Sequence, residues 1–113
     1  MYLWKVLEVE YINFKDERVK VYDEEYNEYH FYDLKDVKFM ENTGFKDRNG
    51  TYIYVGDIVK ISDKYFEVTY IPFKGFVLKR ENYIDGIYLS LEVNADTTSV
   101  VGNIYENKDL LYV

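Results

Sequence analysis

Cysteine is absent from this chain of 113 residues. That excludes a disulfide framework, a thiolate metal site and a cysteine nucleophile, and it fits a reducing compartment. Histidine occurs once (His30), proline once (Pro72) and alanine once (Ala95), so imidazole chemistry and helix propensity are both thinly supplied. No apolar run approaches the ~20 residues of a membrane-spanning helix. The opening "MYLWKVLEVE" has no basic segment leading into an apolar stretch, so no signal peptide is expected. One proline and no low-complexity tract argue against disorder. The expectation is one domain, 1–113, in the cytoplasm and away from membranes.

What is abundant is tyrosine, with 14 copies, and aromatic residues make up 19% of the chain. Large flat side chains favour strands over helices. The net charge is −7 and it is uneven, net −5 over residues 1–44 and net −2 over residues 45–113. A surface of that sign repels phosphate backbones, so nucleic acid is disfavoured as a partner unless a local basic patch intervenes.

Period-two alternation marks most of the strands. Leu7, Val9 and Tyr11 alternate with Glu8 and Glu10. "NFKDER" reads as a hairpin loop, after which "RVKVYD" places Val19 and Val21 inward. "DEEYNE" is a charged turn and "YHFYDL" a third strand, completing an N-terminal β meander over 1–41. "DLKDVKFM" fits either a helical turn capped by Asp33 or a strand through Val37 and Phe39, with the strand favoured. Asn42-Thr43-Gly44 and Asp47-Arg48-Asn49-Gly50 are turn signals, the second the stronger. "TYIY", "DIVKI", "YFEVTYI" and "FVLKR" follow as strands, with Phe66, Val68 and Tyr70 sharing one face. "IYLSLEV" reads as a strand with Ile87, Leu89, Leu91 and Val93 on one side. "TSVVGNIYEN" is the last strand, and "NKDLL" a single helical turn capped by Asn107.

Short strands and polar turns at this spacing predict an all-β, β-dominated fold: a small bent sheet or SH3-like barrel over 42–113, with the meander packed on it. Gly-Asp-Ile-Val-Lys, a turn running into a strand, is similar to the opening strand of SH3-like barrels. That likeness concerns fold alone.

The chemistry-bearing patterns are weak. His30 lies between tyrosines with no serine or cysteine nearby and reads as a structural or surface residue. Asp23, Glu24, Glu25 and Glu28 lack the spacing of a calcium loop. Gly44, Gly50 and Gly56 are separated by bulky residues and do not form a phosphate-cradling loop. They read as turn glycines, with Asp57 bonding backbone amides in its turn and Gly102-Asn103 forming a bulge or close approach. Arg48, Tyr52 and Tyr54 have no structural task left and are the candidate partner-binding residues. Tyr52, Tyr54, Tyr65, Tyr70, Tyr83 and Tyr88 alternate with Lys60, Lys64, Lys74, Lys79 and Arg80, a face that suits stacked bases. The same tyrosines, with Trp4, are residue types that anchor protein interfaces.

Two blocks carry a family resemblance. Residues 43–59 fit the form T-G-(L/F)-K-D-x-N-G-x-x-I-Y-x-G-D-I-V through Thr43, Gly44, Phe45, Lys46, Asp47, Asn49, Gly50, Ile53, Tyr54, Gly56, Asp57, Ile58 and Val59. "VVGNIYENKDLL" fits V-I-G-N-I-Y-E-N-x-x-L-L through Val100, Gly102, Asn103, Ile104, Tyr105, Glu106, Asn107, Leu110 and Leu111. Over residues 37–111 the chain resembles the YopX family of phage and prophage proteins. It departs at its opening, where many members carry a basic, Trp-containing strand and this chain reads "MYLWKVLEVEY". The resemblance implies a phage-encoded protein of the bacterial cytoplasm and brings no mechanism with it. The expected role is a non-enzymatic accessory protein without cofactor or metal. Its expected partners are a second copy of itself or another protein of the host or phage. A single-stranded nucleic-acid-binding module is the alternative.

Overall fold

A computed structural model describes residues 7–80 and 88–112; Trp4, Tyr83 and Ile87 lie outside them. The fold is all-β, built from three antiparallel sheets. The chain divides into two compact units, Met1–Phe39 and Met40–Val113.

The first unit is a three-stranded meander: β1 (Glu8–Asn13), β2 (Arg18–Asp23) and β3 (Glu28–Asp33), in that spatial order. Local side chains shape its turns. Asn13 accepts from the Asp16 amide (3.1 Å), and Asp23 accepts from the Glu25 amide (3.1 Å). Along β2 the alternation is realised, with Val19, Val21 and Asp23 buried and Arg18 exposed. In β1 it is interrupted. A register shift lets Val9 face Val21 while Tyr11 faces Lys20. Residues facing each other across a ladder share a side of the sheet, so the extra residue moves Tyr11 to the side opposite Val9. The expected common face of Leu7, Val9 and Tyr11 is therefore split.

After β3 the favoured strand does not form. Leu34–Asp36 is a 3-10 turn, with the Val37 amide returning to the Leu34 carbonyl (3.5 Å). The Leu34 amide donates to the Glu17 carbonyl (2.9 Å), so these backbone groups close turns instead of entering a ladder.

The second unit contains a two-stranded ribbon, β4 (Asn42–Lys46) with β5 (Tyr52–Tyr54). Its larger sheet comprises β6 (Asp57–Ile61), β7 (Lys64–Ile71), β8 (Gly75–Lys79), β9 (Leu89–Ser90) and β10 (Ser99–Asn103). The order β10-β6-β7-β8-β9 brings the last strand back beside β6, and among the described residues the sheet stays open, with β10 and β9 as its edges. Ile53, Val59, Phe66, Val68, Leu78, Leu91 and Ala95 form the core. Phe45, Ile61, Phe76, Leu89 and Val100 pack against it.

Two assignments change here. The seven residues read as one strand, "IYLSLEV", hold only Leu89–Ser90 as strand before the helix α1 (Leu91–Asn94) begins. Ser90 is the reason. Its hydroxyl accepts from the Val93 amide (3.3 Å), capping the helix, and its carbonyl accepts from the Asn94 side chain (2.7 Å). Leu91 and Ala95, four apart, turn to the core, while Val93 is 80% exposed. Tyr70 does not share the burial of Phe66 and Val68. It is exposed near the end of β7, its ring edge-on to Phe76 at 5.2 Å.

Candidate functional site

The "NTGFKDRNG" segment is built around a buried carboxylate. One oxygen of Asp47 accepts from the amides of Asn49 (2.9 Å) and Thr51 (2.9 Å). The other accepts from the Val100 amide (2.9 Å), 53 residues further along the chain. An Asp followed by turn residues folds back on its own backbone readily, and here the spare oxygen reaches the second motif block. The neighbouring Arg48 amide donates to the Thr98 carbonyl (2.9 Å), running alongside. Burial raises the Asp47 carboxyl pKa, but the amides of Val100, Thr51 and Asn49 and the Arg48 charge outweigh it, so the group lies below its ordinary value.

Ten residues on, Asp57 is also buried but accepts one amide in its turn, from Tyr54 (2.8 Å). Burial dominates there. With the nearby Asp47 charge adding to it against the Tyr54 bond, the carboxyl is pushed up to about 6. Upstream of both, Thr43 donates its hydroxyl to the Ile53 carbonyl (2.7 Å) and accepts from the Phe45 amide (3.2 Å), pinning β4 to β5.

The glycines of the block sit at turns. Gly50, in the Asp47 turn, has φ +80°. Gly56 has φ +98° and joins three segments, donating to the Val68 carbonyl (2.9 Å) and accepting from the Ile104 amide (2.8 Å). Gly44 also has positive φ.

The second block is a matching clasp. The β10–β6 ladder shifts register between Val100 and Gly102. A Cβ at Gly102 would collide with the Asn107 side chain, whose Cγ stands 2.7 Å from that position. Asn107 needs the closeness because its Oδ1 accepts from the Asn103 amide (3.2 Å). Asn103 is buried, accepts from the amides of Tyr105 (2.9 Å) and Glu106 (3.0 Å) and donates to the Glu106 carboxylate (3.3 Å). A 3-10 helix, Lys108–Tyr112, then starts with the Leu110 amide on the Asn107 carbonyl.

The candidate partner-binding residues are placed as follows. Arg48 is exposed in the Asp47 turn. Tyr52 and Tyr54 share one side of β5, opposite the buried Ile53. Tyr52 is 46% exposed with the Lys46 ammonium 4.8 Å from its ring centre, and Tyr54 is half-buried. The longer Tyr/Lys face is partly realised, with Lys60 over Tyr65 (5.6 Å) and Lys74 over Tyr88 (5.5 Å).

A second cluster lies in the meander and was not anticipated. Tyr11 of β1 and Tyr29 and Phe31 of β3 surround Lys20 of β2, whose ammonium is 5.6, 4.3 and 5.9 Å from the three ring centres. Arg18 covers Phe31 at 5.4 Å. The three rings are about half exposed. The facing pairs Lys20–Phe31 and Tyr22–Tyr29 put these groups on the sheet side opposite Val19 and Val21. Alternation within "RVKVYD" and "EYHFYD" carries that signal once the two strands are put in register.

His30 lies near Glu28 (3.5 Å) and the Tyr32 ring (6.3 Å). Among the described residues no group of three or more His, Asp or Glu side chains is placed to hold a metal ion. No helix among them is long and apolar enough to cross a membrane.

The arrangement defines a small all-β protein whose turn-forming Asp, Asn and Gly residues knit two distant segments together. A family model described as YopX protein matches residues 1–112, and the chain belongs to the YopX family. The match takes in the opening as well as the two motif blocks. No curated protein matches the chain.

Proposed function

We propose that this chain is a phage- or prophage-encoded accessory protein of the bacterial cytoplasm, a non-enzymatic module that binds protein and associates with itself. The observation that carries the reading is the solvent-facing cluster of Tyr11, Tyr29 and Phe31 around Lys20, with Arg18 beside it. Aromatic rings with an arginine are the side chains that anchor protein interfaces. The motif residues support the reading from the other direction. Asp47, Asn103 and Asn107 direct their side-chain oxygens to backbone amides, which is scaffold work.

Size-exclusion chromatography with light scattering, at about 50 mM and about 500 mM salt, tests it. The expected species is larger than the 13.7 kDa monomer at both concentrations. A strict monomer, with no partner captured from host lysate, would count against it.

The lysine-over-tyrosine contacts favour a second reading, single-stranded nucleic-acid binding through Tyr52, Tyr65 and Tyr88. It requires co-elution with labelled oligo-dT at the lower salt, loss at the higher, and weakening by Tyr52→Ala or Lys79→Ala.

A further inference from the structure

Strand β3 has one neighbour among the described residues, β2, so its outer backbone edge faces no strand there. Five of its six residues are exposed, with Tyr29 at 53%, Phe31 at 49% and Tyr32 at 41%. Open edges are ordinarily guarded by a lysine, a proline or a bulge. β3 has none of these. Its ladder with β2 is regular from Asp23–Glu28 to Arg18–Asp33, and "EYHFYD" is charged only at its acidic ends when His30 is neutral. The other edge of the sheet, β1, carries the register shift between Val9 and Tyr11.

We propose that β3 pairs antiparallel with β3 of a second copy about a two-fold axis at Phe31, joining two three-stranded sheets into one of six strands. This rests on the protein-interaction reading and names its partner and surface. Charge disfavours two arrangements, and an aromatic pair at the centre favours a third. Parallel pairing would set Glu28 beside Glu28 and Asp33 beside Asp33. Antiparallel pairing with the ends matched would oppose Glu28 to Asp33 twice, and like charges directly opposite are destabilising. Centring on Phe31 opposes Phe31 to Phe31, His30 to Tyr32 and Tyr29 to Asp33. No like charges then face each other, and two phenols lie opposite carboxylates. The two Lys20 residues are three strand spacings apart, about 14 Å, beyond the Debye length at physiological salt.

The chain's lack of cysteine makes a direct test available. Facing residues in an antiparallel pair have Cα atoms about 4.5–5.5 Å apart, within disulfide reach. Mild oxidation is expected to convert Phe31→Cys to a covalent dimer and to leave His30→Cys and the exposed Tyr70→Cys of the second unit as monomers. In sedimentation equilibrium Phe31→Lys is expected to raise the dimer dissociation constant at least about tenfold, with an unchanged circular dichroism spectrum. Cross-linking of His30→Cys without Phe31→Cys would overturn the Phe31 register. A wild-type dimer indifferent to Phe31→Lys and never cross-linked would overturn β3 pairing while leaving protein interaction standing. A wild-type chain that stays monomeric and instead takes up labelled oligo-dT at low salt would overturn both.

Discussion

Among the described residues, ten apolar side chains are buried in the second unit, from Ile53 to Leu111, whereas the first buries two, Val19 and Val21. Exposure runs the other way. Large aromatic residues of the meander, among them Tyr11, Phe14, Tyr26, Tyr29, Phe31, Tyr32 and Phe39, stand 41–77% exposed. Hydrophobic burial scales with area removed from water, so the second unit has a stabilising core of its own and the meander has little. The contrast extends to polar side chains. In the second unit Asp47, Asn103 and Asn107 close backbone clasps over a packed interior. In the meander Lys20 and Arg18 lie over rings that water reaches. One region is held by a packed core, and the other leaves its rings to water.

The largest effect separating the two is expected in the core. Phe66→Ala, at a site 2% exposed, should cost about 3–5 kcal/mol in urea unfolding, whereas Phe31→Ala should stay within about 0.5 kcal/mol at protein concentrations low enough to keep the chain monomeric. Similar costs at both positions would erase the distinction. Next, Asp47→Ala strips three amides of their acceptor and should cost about 3 kcal/mol. The loss should appear as faster amide exchange at Val100 as well as in the turn. Exchange that quickens only around residues 47–51 would mean that the two motif blocks are not coupled.

A subtler test uses pH. Asp57, with a folded pKa of about 6 against an ordinary 3.8, binds more protons folded than unfolded between those values. Its contribution therefore falls as pH rises from about 4 to about 6, by roughly 2–3 kcal/mol, and is constant above. Asp47, held below its ordinary value, contributes stability that is complete above about pH 4 and is lost on acidification below it. Asp57→Asn retains an acceptor for the Tyr54 amide and should flatten the decline between pH 4 and 6. An unchanged pH profile in thermal melts would show that Asp57 is not its source. A small effect is also expected for Lys20→Gln. It should change stability by under about 1 kcal/mol, the worth of exposed cation–ring contacts, in the same melts. A larger loss would make Lys20 part of the structural frame.

The strands were largely readable because alternation is local. Val19 and Val21 declare themselves within six residues, and Gly50 and Gly56 mark turns by their neighbours. What escaped reading depends on distance or on a single inserted residue. Asp47 looks like any turn aspartate, and its bond to Val100 spans 53 residues with no local trace. The register shift in β1 reverses the side of Tyr11 without altering the residue pattern. Around Leu91, "LSLEV" alternates as a strand does, and only the hydroxyl of Ser90 on the Val93 amide makes it a helix. The candidate surface was legible in part. Tyr52 is 46% exposed, but the cluster around Lys20 required three strands to be placed in register.

The central claim, that the meander presents the binding surface and the motif-bearing unit is scaffold, is tested most directly by hydrogen exchange at low and high protein concentration. The account predicts that amides of Glu28–Asp33 gain protection as concentration rises, while those of residues 42–61 and 99–107 exchange at unchanged rates. Concentration-dependent protection centred on Arg48, Tyr52 and Tyr54, with Glu28–Asp33 unaffected, would contradict it.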